Sequence, residues 1–137
     1  FLSDPALQHV VTRLTDEGLI IEIFAVEGAP IFDGDTAEPL PVLRDIAGVM
    51  ARAFAIVENP VVIEGHIRAR PLVVANHPVW ELSSGRAEAV RVLMVEAGLQ
   101  SERVSRLTGH GDREPAIENT LSVRNDRIEI ILLRDPP

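Results

Sequence analysis

Trp80-Glu81-Leu82-Ser83-Ser84-Gly85-Arg86-Ala87, followed by Val90, Leu93 and Met94, reads as a helix with a break in its apolar line. Leu82 and Val90 belong to that line, and Arg86 sits between them, four residues from each. A guanidinium on an inward stripe calls for a carboxylate, supplied by the protein or by a ligand. Periodicity alone describes equally well a long side chain snorkelling from the helix edge to water. The helix spans about Pro78 to Ala97, with Gly98 as its αL cap.

Working outward, Pro5 to Glu17 carries Leu7, Val11 and Leu14 at helical spacing ahead of Gly18, which predicts a short N-terminal helix. Leu19 to Val26 is an apolar strand interrupted only by Glu22. Turn chemistry follows at Glu27-Gly28-Ala29-Pro30 and Phe32-Asp33-Gly34-Asp35. Thr36 is a candidate N-cap, and Leu43, Ala47, Met50 and Phe54 mark one face of a second helix ending near Ala55. Val61 to Glu64 is a short strand of the buried type, 65 to 78 a loop, and Val104 to Thr108 a further strand. Gly109 to Asn125 is polar and turn-rich, and Arg127 to Leu133 closes the chain as a strand. Alternation of this kind predicts a layered sheet with helices packed on it.

The 137 residues suffice for one hydrophobic core. A net charge of −8 argues against a nucleic-acid partner, which requires a basic footprint. The absence of cysteine removes disulfides, thiolate metal sites and cysteine catalysis. No apolar run approaches the ~20 residues that span a bilayer. A chain beginning at Phe1, without Met or a signal-peptide pattern, is expected to be a piece of a longer protein with any anchor upstream.

Most candidate chemistry has a structural explanation. His66, His77 and His110 have no second histidine at i+3 or i+4 and read as scattered loop and strand-end histidines, so no metal is expected. Gly109-His110-Gly111 lacks the third glycine of a dinucleotide fingerprint. Ser83 lies in no nucleophile elbow, and Asp33 and Asp35 suit an Asx-type turn. A small hydrolase would need Asp33, Asp35 or His66 to converge in one pocket.

Three pieces carry a family resemblance. Ile63-Glu64-Gly65-His66 resembles a strand ending in Gly-His-Thr-Asp. Trp80 to Ala87 resembles a helix start of the form Asn-Trp-Glu-Leu-Ser-x-x-Arg-Ala, and Asn125-Asp126-Arg127-Ile128 a closing strand Asn-Arg-Arg-(Val/Ile). These are motifs of the OmpA-like peptidoglycan-binding domain. The upstream half is similar to its MotB branch, the flagellar stator proteins: Glu17 to Ile23, Pro30-Ile31-Phe32 and Leu43-Arg44-Asp45-Ile46. The resemblance implies an α+β fold, a mixed β/α sandwich of about four strands packed by two long helices, with an extra N-terminal helix. It divides the chain into an N-terminal helix or linker, 1–18, and the domain, 19–137.

It also implies a non-enzymatic, cofactor-free periplasmic domain of an inner-membrane protein, dimeric, gripping the diaminopimelate-containing stem peptide of peptidoglycan. A MotA-like channel subunit would join through an upstream membrane segment. Carried over by motif, the ligand positions are Leu82, Arg86, Arg68, Asn125, Asp126 and Arg127. In the family an aspartate takes the ammonium of diaminopimelate and the helix arginine its carboxylate, a pairing suited to a zwitterion.

This chain departs from the motif at three positions. Arg68 replaces the aspartate, Val79 the asparagine before the tryptophan, and Asp126 the first arginine of the closing strand. Arginine and aspartate have thus changed places, which leads to the expectation that Asp126 supplies the carboxylate lost at 68. A separation of Arg68 and Asp126 beyond ~10 Å would exclude it. The alternative is a groove in disuse, on a domain serving mainly for dimerisation or partner docking.

Overall fold

Leu19 to Phe24 and Arg127 to Leu133 alternate between two environments, and pairing them puts like with like. A computed structural model describes residues 4–70 and 78–134. Its elements are α1 (Asp4–Leu7), β1 (Val10–Leu14), β2 (Gly18–Phe24), α2 (Pro41–Phe54), β3 (Val61–His66), α3 (Val79–Glu96), β4 (Val104–Gly109) and β5 (Arg127–Leu133). One mixed sheet runs β1-β2-β5-β3-β4, antiparallel except for the β3/β4 pair. Ile21, Ile23, Val61, Ile63, Ile128 and Ile130 point to one face. There they bury against Leu43, Ile46, Ala47, Ala51 and Phe54 of α2 and Ala87, Val90 and Met94 of α3. This is the mixed β/α sandwich expected, with both long helices on one side.

The N-terminal segment corrects two expectations. Its helix is only Asp4–Leu7, and Val10–Leu14 is a fifth strand, paired with β2 from Val10↔Ile23 to Leu14↔Leu19. Leu7, Val11 and Leu14, which suggested one helical face, are all exposed. Backbone pairing to β2 outweighs that spacing, in a segment whose Val10-Val11-Thr12 is β-branched. The turn closing this hairpin needs Gly18, because a Cβ there would lie 2.1 Å from the Leu132 carbonyl oxygen.

Thr36 does not cap α2. The cap position is Leu40, held extended (φ −83°, ψ 162°) because it precedes Pro41. Thr36 instead closes a turn, donating to the Asp33 carbonyl and accepting from the Glu38 amide. On α3 the buried line is Ser83, Ala87, Val90 and Met94 with Arg86 beside it, while Leu82 is only half-buried. Small residues are required there. Gly65 and Gly109 are cross-strand neighbours, and together they form a notch into which the α3 backbone settles at Ser83 and Ser84.

Candidate functional site

A groove of about 290 Å³ opens between loop 25–35, the segment after β3 and the start of β5. Arg68, Arg70, Asp35, Asp126 and Phe32 line it. A smaller recess, about 30 Å³, adjoins it and is lined by Arg86, Asp126 and Phe32. The guanidinium that interrupts the α3 stripe therefore faces the floor of a cleft and not open water.

Arg86 is buried and firmly held. Its Nε donates to the Thr36 carbonyl at 2.9 Å and its Nη2 to the Gly34 carbonyl at 3.0 Å, and it stacks on the Phe32 ring at 4.6 Å. Among the described residues, its hydrogen-bond partners are carbonyls, not a carboxylate. Burial pulls the group below the usual guanidinium range; Asp126 opposes this, Arg70 adds to it and Asp35 opposes it. Arginine stays charged even so.

Arg68 and Asp126 meet as the exchange of positions required. Asp126 Oδ1 accepts from the Arg68 backbone amide at 2.7 Å, and Oδ2 lies 3.9 Å from Arg68 Nε. Arg68 also donates through Nη1 to the Leu121 carbonyl at 3.2 Å. Beside it, Arg70 donates to Asp35 Oδ1 at 2.8 Å. The Nε atoms of Arg68 and Arg70 are both buried without a hydrogen-bond partner. Arg70 is not singled out by the sequence, and Asp35 reads there only as a turn residue or a hydrolase candidate, not as part of this groove. Arg68-x-Arg70 at a strand end hints at two guanidinium groups on one side, but Asp35 reaches them only through the tertiary fold.

The remaining sequence-derived positions lie outside this cleft. Leu82 lines neither cavity. Asn125 is buried and organises the preceding loop, its Oδ1 accepting from the Ala116 and Ile117 amides and its Nδ2 donating to the Asn119 carbonyl. Asn125→Ala is expected to cost about 2 kcal/mol, because it removes three part-buried hydrogen bonds, those to the Ala116 and Ile117 amides and to the Asn119 carbonyl. Thermal unfolding and limited proteolysis within 111–122 will read the loss. Arg127 points to the other sheet face, donating to the Glu114 carbonyl at 2.7 Å and to Glu129 at 3.2 Å.

That other face carries a row of carboxylates. Glu22, Glu129 and Glu64 are directly opposite one another across β2, β5 and β3. Arg13 and Arg124 neutralise Glu22, Arg127 pairs with Glu129, and Arg106 and His110 approach Glu64. Burial raises Glu129 above the usual carboxylate range; Arg127 opposes it, Glu22 adds to it and Arg13 opposes it. His66 is pushed down to about 3, by burial first and then by Arg127 and His110. Its ring is therefore neutral at physiological pH. His110 stacks on it, centroids 4.7 Å apart and planes 9° from parallel. His77 lies outside the described residues. Asp35 pairs with Arg70 in the groove while His66 sits on the opposite sheet face, so the convergence a hydrolase would need is not present among the described residues.

The sequence profile of the OmpA family matches residues 31–129. Motility protein B of Escherichia coli K12 is 33% identical over 113 residues, covering 78% of this chain and 37% of that protein. The putative flagellar export/assembly protein LafU of E. coli O44:H18 is 26% identical over 122 residues, 88% of this chain and 40% of its own length. The chain thus spans well under half of these relatives. The periplasmic domain of Helicobacter pylori MotB superposes with a TM-score of 0.76 at 17% identity, covering 92% of this chain and 82% of that one. The cell wall anchor of the type VI secretion system from Pseudomonas aeruginosa superposes with a TM-score of 0.75 at 26% identity, covering 96% and 92%. Among the described residues, no helix is long and apolar enough to cross a membrane.

Proposed function

This chain belongs to the OmpA family, and from that premise we propose that it is a non-enzymatic, periplasmic wall anchor of a MotB-type stator, holding peptidoglycan stem peptide in the groove above Arg86. One observation carries the proposal: Arg86 and Asp126 line the same recess. A diaminopimelate head group presents a carboxylate and an ammonium together, and a fixed cation and anion side by side recognise both. The anion comes from the start of β5 rather than the end of β3, so the pair survives with its acid moved across the groove. The guanidinium groups of Arg68 and Arg70 line the adjoining groove and add positive charge that favours the ligand carboxylate. Resemblance to MotB and to a cell wall anchor supports the same assignment, together with dimerisation and a MotA-like partner.

Retention on purified sacculi tests it. Wild type is expected to pellet with the wall. Arg86→Ala and Asp126→Asn should each lose about ten- to a hundredfold in affinity, the worth of a charge-assisted contact of about 1.5–3 kcal/mol. Circular dichroism checks that both variants fold. Equal retention of folded Arg86→Ala would remove the assigned role.

A second reading rests on the same geometry: Arg68 and Asp126 satisfy one another, and Arg86 spends two donors on loop carbonyls. Such a groove is filled by its own side chains, on a domain that dimerises or docks a partner. No retention by wild type, together with a stable dimer in solution, would select it.

A further inference from the structure

We propose that Glu64, His66 and His110 form a binding site for a divalent transition-metal ion of the zinc type, on the sheet face away from the helices and separate from the groove. One ligating atom from each lies within 4.8 Å of the others. The second, independent observation is His66 itself. Its side chain is 3% exposed, and neither ring nitrogen has a hydrogen-bond partner. A buried imidazole without partners is costly, and a metal bond relieves it.

His110 is oriented for the same purpose. Its Nδ1 lies 2.7 Å from Glu114 Oε2, and a carboxylate there favours the tautomer that keeps its proton on Nδ1 and leaves the lone pair on Nε2. That Nε2 is buried, has no hydrogen-bond partner, and faces Glu64 Oε2 at 3.4 Å. Two electron-pair donors set face to face repel unless a cation lies between them. A tetrahedral zinc with bonds of ~2.0–2.1 Å has ligand-to-ligand edges of ~3.3 Å. That is close to the 3.4 Å between His110 Nε2 and Glu64 Oε2, while the His66 nitrogen, within 4.8 Å of both, has to draw in. The parallel histidine rings require a side-chain rotation of one of them to direct both lone pairs at one ion. The fourth position is left to water, since Glu129 Oε2, 3.9 Å from His66 Nε2, is already held by Arg127 Nε at 3.2 Å. Arg106, 3.7 Å from Glu64 Oε2, is half-exposed and can swing to solvent as the ion enters. Two imidazoles and a carboxylate favour zinc-like ions over magnesium or calcium.

Such an ion ties β3 to the loop that starts at His110. That loop also supplies the Thr120 and Leu121 carbonyls that hold Ala69 and Arg68. Metal binding would therefore stiffen one wall of the groove.

Calorimetric titration of the chelator-treated chain with zinc chloride tests the site, with cobalt absorption as the report on ligand geometry. Expected are one saturable site, tetrahedral cobalt bands and a rise in Tm with zinc. Glu114→Gln, which disturbs only the orientation of His110, should weaken binding by about 10–100-fold. His110→Gln and Glu64→Gln should weaken it further while leaving the fold intact, so that His66→Gln, in the more buried position, is not the sole test. Absence of saturable binding at millimolar zinc would overturn the proposal, and so would unchanged affinity in the folded His110→Gln and Glu64→Gln proteins.

Discussion

Gly65→Ala is expected to destabilise the domain by about 3 kcal/mol or more, the upper end of what overpacking costs. A Cβ at Gly65 would stand 2.2 Å from the Ser83 carbonyl oxygen and 3.0 Å from its carbon, both backbone atoms in the middle of helical hydrogen bonding. Neither can move alone. Relief requires lifting α3 off the sheet, and that opens the contacts of Ala87, Val90 and Met94. Gly109→Ala meets the same obstacle from the neighbouring strand, 2.4 Å from the Ser84 backbone nitrogen. Gly28→Ala is the control: nothing lies within 4 Å of its Cβ, and only the positive φ of 77° penalises it, by about 1 kcal/mol. Urea unfolding should rank the three accordingly, with Tm lower by roughly 10 °C for Gly65→Ala. A Gly65→Ala protein within about 1 kcal/mol of wild type would show that the notch yields easily, contrary to close packing.

Acid should unfold the metal-free domain chiefly through His66. Its folded pKa is about 3 against 6.5 when unfolded, so between those values the unfolded chain holds a proton that the native state refuses. Stability is fully present above pH 6.5 and falls as pH drops toward 3, at up to about 1.4 kcal/mol per pH unit. Around the ring stand Glu64 on its own strand, Arg127 and Glu129 on β5, and His110 beyond β4. Glu129 works the other way. Its raised pKa lets the native state take up a proton first, which partly offsets the loss just above the usual carboxylate range. With a chelator present, denaturant midpoints from pH 7 to pH 4 should fall steeply in wild type. In a folded His66→Gln protein they should fall far less. Equal slopes would assign acid sensitivity to other groups.

Sequence patterns made much of the fold legible where the pattern matched the local environment. Arg127–Leu133 forms the strand expected, because Ile128 and Ile130 face the helices while Arg127 and Glu129 join the charged row on the other face and Ile131 packs there against Ile20 and Val62. α3 was readable from its ends and from Gly98, whose φ is +115°. Val10–Leu14 was not, because a partner strand, not local propensity, decides what an ambiguous apolar spacing becomes. The exchange of Arg68 and Asp126 was likewise visible as two departures from a motif, 58 positions apart. Only the fold could show that they touch.

Residue order by itself determined a layered α+β domain, an arginine on the inward stripe of the third helix that demands partners, and a family motif whose acid and base have traded places. Tertiary structure decided the partners. It gave Arg86 the carbonyls of Gly34 and Thr36 and a shared recess with Asp126. It aligned Glu22, Glu129 and Glu64 across three strands, and it brought His110 against His66. The physical reason is that hydrophobic periodicity reports which side of an element is buried, whereas pairing of charges and ligands depends on strand order and register. Those emerge only when segments far apart in the chain are packed side by side.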